Sequence, residues 1–105
     1  MSDNSLEDTI YVTYQGNADT RFDRDYYVER HLPLVMRSWE SHGLKSIKAF
    51  FPSSDESGTI AICECIFRDE AATEAAFAAA ETPAVMADVA QFTDVEPIRF
   101  RAKDM

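Results

Sequence analysis

Thr59-Ile60-Ala61-Ile62-Cys63-Glu64-Cys65-Ile66-Phe67 is the stretch on which the fold turns. It is dense in β-branched and aromatic residues and reads as a strand. Side chains alternate along a strand, so Ile60, Ile62, Glu64 and Ile66 share one face, and Ala61, Cys63, Cys65 and Phe67 the other. Both faces are largely apolar. An antiparallel sheet with one side in water alternates apolar with polar residues, and this strand does not. Either it is a central strand of high hydrophobicity, or a second subunit covers the face that the helices leave open. Size favours the second reading: a chain of 105 residues buries only a modest share of its surface alone.

Working outward, Arg68-Asp69 leads into Glu70 to Ala80, an alanine-rich helix of high propensity. Thr82-Pro83 reads as an N-cap with proline at the first helical position of a short helix to about Gln91. Val85, Val89 and Phe92 form its apolar stripe, and Val95 to Arg101 reads as a closing strand. Upstream, Leu44 to Phe51 is a strand, joined by the turn-forming stretch 52–58. Ahead of it a long helix runs from an Asp23 N-cap to about His42, stopped by Gly43. Thr9 to Tyr14 is the first strand, followed by a loop at 15–20, and residues 1–8 read as a loose polar segment. The order is βαββαβ over a single domain at 9–105. That is a ferredoxin-like α+β fold, a four-stranded antiparallel sheet with helices on one face.

The composition narrows the function. The formal charge is −9 and the pI about 4.5, which repels phosphate backbones and anionic lipid, so neither nucleic acid nor membrane is expected as a partner. No apolar run approaches the roughly 18 residues that span a bilayer. Met1-Ser2-Asp3-Asn4-Ser5 lacks a basic segment followed by an apolar stretch, so no secretory signal is expected and the cytoplasm is the expected compartment. With three glycines in the chain there is no phosphate-cradling loop, and neither GxSxG nor HExxH occurs. Cys63 and Cys65 point the same way from one strand. A CxC pair binds soft metals, but no set of four ligands assembles around it, and small packing groups are the plainer reading. Glu64, an acid in an apolar strand, needs a partner, with Lys48 and Arg99 the candidates.

The first helix holds the chemistry. At 100° per residue, Val28, Leu32, Val35 and Trp39 fall on one arc, with Glu29, Arg30, Arg37 and Glu40 on the remaining side. His31 lies within the apolar arc, so Tyr27, His31 and Ser38 form a polar seam at the edge of the core-facing surface. Pro33 removes a helical hydrogen bond and clashes with the carbonyl of Glu29, so a break or kink beside His31 is expected. His31 then has two readings. It is a satisfied core histidine bonded to a carbonyl or to Tyr27, or a general base or acid near pH 7 with Tyr27 orienting a substrate oxygen. His42 would stand about 16 Å along a straight helix from His31, so the two share no metal. Just before Gly43, it suits a cation at a helix C-terminus.

Phe22-Asp23-Arg24-Asp25-Tyr26-Tyr27-Val28-Glu29-Arg30-His31-Leu32-Pro33-Leu34-Val35, with Gly43-Leu44 beyond it, resembles the EthD family, named from bacterial degradation of ethyl tert-butyl ether. Members carry an aromatic residue, then tyrosine, then His-x-Pro-Leu on the first helix. Cys65-Ile66-Phe67-Arg68-Asp69 and Ala87-Asp88-Val89-Ala90-Gln91-Phe92-Thr93-Asp94 are similar to its third-strand end and final helix. The resemblance implies a dimeric α+β barrel of two sheets packed face to face, a homodimer, with a functional role for His31. It also implies a pocket between sheet and helices within reach of Tyr27, His31, Trp39 and Phe92, and of Tyr11 if its strand face is the right one. Related proteins include fungal polyketide dehydratases and decarboxylases. Similar barrels host lactone isomerases and cofactor-free monooxygenases.

The leading expectation is therefore a small enzyme acting on a compact hydrophobic or aromatic molecule without a cofactor. His31 would shuttle a proton, Tyr27 hydrogen-bond the substrate, and Trp39 and Phe92 form apolar walls. The alternative is a non-catalytic dimeric protein that binds a hydrophobic metabolite in the same pocket. A third reading has no pocket, with His31 purely structural.

Overall fold

A computed structural model describes residues 6–52 and 58–102. Four strands, β1 (Asp8–Gly16), β2 (Leu44–Phe50), β3 (Gly58–Phe67) and β4 (Ile98–Ala102), form one antiparallel sheet in the order β2-β3-β1-β4. Helices α1 (Arg24–Tyr26) and α2 (Leu32–Trp39) lie between β1 and β2, and α3 (Glu70–Phe77) and α4 (Thr82–Asp88) between β3 and β4. This is the ferredoxin-like βαββαβ arrangement, with β1 and β3 at the centre. Of the expected turn at 52–58, residues 53–57 lie outside the described residues, as do residues 1–5 of the N-terminal segment.

The strand limits shift for local reasons. Asp8, expected ahead of the sheet, opens β1, where it is 4% exposed and takes Arg101 Nε at 2.7 Å and Nη2 at 2.8 Å on its two carboxylate oxygens. β4 starts at Ile98 and not Val95, since Pro97 has no N–H for the ladder. On β3 the alternation resolves. Ala61, Cys63, Cys65 and Phe67 are buried beneath the helices, and Ile60, Ile62, Glu64 and Ile66 are half-buried on the open face. The acid in that face bonds neither to Lys48 nor to Arg99. Its partner is the hydroxyl of Tyr11, directly opposite on β1, which donates to Glu64 Oε2 at 2.8 Å. Arg99 is opposite Val12 and so belongs to the other side of the sheet.

The first helical run begins as expected, with Asp23 Oδ1 accepting from the Tyr26 amide at 3.0 Å. The expected break takes the form of a π-helical turn, Tyr27–His31, in which the Leu32 amide reaches back to the Tyr27 carbonyl. The wider turn makes room for Pro33, which then occupies the first turn of α2, where its missing N–H costs little. A 3₁₀ turn, Glu40–His42, closes the run, and Gly43 follows at φ 112°.

Two expectations for the second helical region are corrected. The alanine-rich helix ends at Phe77 rather than Ala80, and Thr82 is not an N-cap but the first residue of α4. The Thr82 hydroxyl is engaged elsewhere. It donates to the Ala76 carbonyl at 2.6 Å, a second bond to a group that also accepts from the Ala79 amide at the end of α3, and accepts from Trp39 Nε1 at 2.9 Å. One hydroxyl thus ties α2, α3 and α4 together.

The core between helices and sheet holds two aromatic groups. Tyr14, Phe22, Tyr27 and Phe92 pack mostly edge to face at one end, and Trp39, Phe67 and Phe77 at the other. The smaller Cys63, Cys65, Ile10 and Val35 lie in the same core, and the space left there becomes the site.

Candidate functional site

A cavity of about 330 Å³ separates sheet from helices. Its floor is β-sheet surface (Ile10, Val12, Ile47, Cys63 and Cys65), and its walls come from Leu32, Val35 and Trp39 on α2 and Val85 and Met86 on α4. Apolar walls with a few convergent polar groups are what small-molecule sites share. The polar groups here are His31, two tyrosines, two thiols and Arg99.

His31 is 5% exposed, held between the rings of Tyr27, stacked at 5.6 Å, and Phe92 at 4.7 Å. Its Nδ1 lies 3.0 Å from Asp88 Oδ2, and the other oxygen of that carboxylate accepts from the Tyr26 hydroxyl at 2.7 Å. An ionised carboxylate only accepts, so Nδ1 carries the proton and the Nε2 lone pair is free. No described residue bonds to Nε2. Burial pushes this imidazole below its usual 6.5, and the Asp88 hydrogen bond and charge pull it back up in part. The ring is therefore neutral at pH 7, an oriented base.

Tyr27 is wholly buried, and its hydroxyl makes no hydrogen bond among the described residues. Cys63 and Tyr14 act on it electrostatically, and Cys63 also approaches it as a hydrogen-bond neighbour, but neither contact has full hydrogen-bond geometry. Burial first, and those neighbours second, raise its pKa far beyond the usual range, so it stays a donor at any physiological pH. An orphaned buried hydroxyl costs about 1–3 kcal/mol. Tyr27 is among the residues that line the cavity, and a ligand oxygen that reached its covered hydroxyl would recover this. The thiols of Cys63 and Cys65 stand 3.7 Å apart nearby, both buried and unoxidised. Cys65 is pushed up, first by its bond to Cys63 and then by burial. Among the described residues no group of three or more His, Cys, Asp or Glu side chains is placed to hold a metal ion.

The structure thus brings together three of the five residues singled out from the sequence. Tyr27, His31 and Trp39 line the cavity. Phe92, wholly buried, stands behind them and fixes the two rings rather than lining the space. Tyr11 is on the other face of the sheet, stacked on Phe100 at 5.8 Å and bonded to Glu64, so it does not reach the cavity. His42 stands apart, its Nε2 3.3 Å from Glu81 at the helix end. Asp88 and Tyr26 were not legible as site residues. The available signal was an acid three positions after Val85, on the edge of an apolar stripe and in the last turn of a helix, where the dipole disfavours it.

Residues 16–96 match the family model of the EthD domain. The chain belongs to the EthD family. An EthD-like protein from Ralstonia eutropha JMP134 has a similar structure (TM-score 0.81), 22% identical, with 92% of this chain and 90% of that one covered. An EthD family protein from Bacillus halodurans C-125 is similar at TM-score 0.71 and 19% identity, covering 95% and 100%. SnoaB, a cofactor-independent oxygenase from Streptomyces nogalater, is similar at TM-score 0.64 and 13% identity, covering 95% and 96%. At such identities the likeness is one of fold. No curated protein matches the chain. Within this EthD domain the π-helical turn, His31 and Asp88 all fall inside the matched residues, and β4 with Arg99 lies just beyond them.

Proposed function

We propose that this EthD protein is a small enzyme that removes a proton from a compact hydrophobic substrate without a cofactor. The observation that carries the reading is one cavity holding a neutral histidine oriented by a carboxylate, beside a buried tyrosine hydroxyl, with neither Nε2 nor that hydroxyl hydrogen-bonded among the described residues. The reaction that fits begins with His31 Nε2 taking a proton from carbon next to a carbonyl. The electron pair moves to the carbonyl oxygen, which Tyr27 meets as hydrogen-bond donor, while Asp88 steadies the imidazolium. Returning the proton to another carbon isomerises the substrate; expelling a neighbouring hydroxyl as water dehydrates it. That a similar fold serves SnoaB as a cofactor-independent oxygenase supports chemistry of this kind, as proton removal also prepares an electron-rich carbon for oxygen.

We also propose a homodimer. The open sheet face carries Ile62 and Ile66 at its centre and Phe50, Ile98 and Phe100 about half-exposed at its edges, an apolar surface that a second copy would cover.

The test is a ligand screen by thermal shift, followed by turnover assays, on the parent, Tyr27→Phe and His31→Asn. Tyr27→Phe removes a hydroxyl with no well-formed hydrogen bond among the described residues, so the ligand-free protein keeps its melting point or gains slightly. Turnover should fall about 100-fold or more. Full turnover in either variant removes that residue from the chemistry. Binding without product from any ligand would instead favour a carrier.

A further inference from the structure

Among the residues that line the cavity, one is of a permanently charged type. Arg99 reaches it from edge strand β4, opposite Val12, together with Phe77, whose ring lies 4.1 Å beneath the guanidinium. The other arginine on that face is already committed, since Arg101 is bound at two points by Asp8. Arg99 makes no ion pair among the described residues. It also lines an adjoining surface trough of about 500 Å³ with Arg101 and Glu74. Glu74 acts on Arg101 there, so Arg99 is the unmatched positive charge of both spaces. In a chain of 19 acidic and 10 basic residues, an arginine without a carboxylate at the edge of an apolar space is out of keeping with its surroundings.

The physics of that arrangement is specific. Stacking on Phe77 fixes the guanidinium plane and leaves its N–H edge available, and that planar fork matches a carboxylate with two parallel bonds. An arginine that is exposed on its outer side stays charged and hydrated without strain, so it discriminates between ligands more than it stabilises the fold.

We propose that Arg99 sets the specificity of the cavity and that the ligand is a compact apolar monocarboxylate, its body among the apolar walls and its carboxylate on Arg99. This rests on the reading of the cavity as a ligand site and adds the class of molecule. A neutral molecule of the same shape leaves the guanidinium without a partner, and a cationic one is repelled.

The experiment is a titration followed by the fluorescence of Trp39, the single tryptophan, which itself lines the cavity. The probes are 3-phenylpropionate and its uncharged isostere 3-phenylpropionamide, at low ionic strength. The parent should bind the carboxylate about tenfold more tightly than the amide, and added salt should narrow the gap. Arg99→Gln should bind both with the affinity the parent shows for the amide, and Arg99→Lys should fall between. Equal affinity of the parent for both probes, or a preference that survives in Arg99→Gln, overturns the role of Arg99 and leaves the cavity reading standing. If the parent binds neither probe, the cavity reading and this inference fall together.

Discussion

Asp88 is where stability and proposed chemistry meet, and Asp88→Ala tests both. The substitution removes two acceptors at once, for Tyr26 Oη at 2.7 Å and His31 Nδ1 at 3.0 Å. The His31 side chain is 6% exposed, so its N–H has no water to turn to, and leaving it unsatisfied costs about 1–3 kcal/mol. Tyr26 is half-buried and rehydrates, which limits that loss to about 1 kcal/mol. Relief comes from removing an acid at the C-terminal end of α4, about 0.3–1 kcal/mol, and from the better helix propensity of alanine, up to about 0.7 kcal/mol. The net loss is about 2 kcal/mol, or about 8–15 °C in melting temperature for a domain of this size. Thermal unfolding followed by Trp39 fluorescence reads it, and Asp88→Asn, which keeps one acceptor, should lose about half as much. Nitrogen NMR of His31 adds the chemical half: in the parent at pH 7 the proton should reside on Nδ1. A melting point for Asp88→Ala within about 2 °C of the parent, or a proton on Nε2 in the parent, would refute the dyad.

Further outcomes are expected for His31, Gly43 and Phe100. The folded-state pKa of His31 lies below the 6.5 of the unfolded chain, so the unfolded state takes up this proton first. Its contribution to stability is complete above 6.5 and is lost as pH falls through the folded value. The stability difference between parent and His31→Phe should therefore shift against the parent on acidification. The acid limb of kcat/KM should sit below 6.5, and lower still in Asp88→Asn, and a limb above 6.5 would contradict the burial argument. Gly43→Ala forces an L residue to φ 112° and sets a methyl 2.4 Å from Ala72 Cβ. A loss of about 3 kcal/mol in urea unfolding is expected, against which a neutral result would argue that α3 sits elsewhere. Phe100→Asp places a charge on a residue 48% exposed on the open face; the parent should sediment as a dimer and the variant as a folded monomer, and a monomeric parent would dismiss the paired barrel.

The sequence by itself determined whatever depends on local periodicity. Alternation on β3, the Asp23 cap, the stop at Gly43 and the disruption at Pro33 were all legible, because each is dictated by neighbours in the chain. The order of elements followed from them, and the apolar arc of the first helix placed His31 and Tyr27 inward. The limits of the later elements were less legible. Thr82 has the chemistry of a cap, yet its hydroxyl bonds to Trp39 and Ala76, contacts set by how three helices meet.

Only tertiary structure decided which face of β1 looks toward the helices, since Tyr11 and Ile10 are both apolar enough for either side and one residue of register exchanges them. That choice removed Tyr11 from the site and gave Glu64 its partner. The same holds for Asp88, which is 57 residues from His31 in the chain and 3.0 Å from it in space. Arg99 and Arg101 have the same residue type and the same strand face, and the position of Asp8 at the start of β1 ties Arg101 into an ion pair while Arg99 stacks on Phe77. Periodicity records which way a side chain points from its own element. What it meets there is fixed by packing between elements distant in the chain.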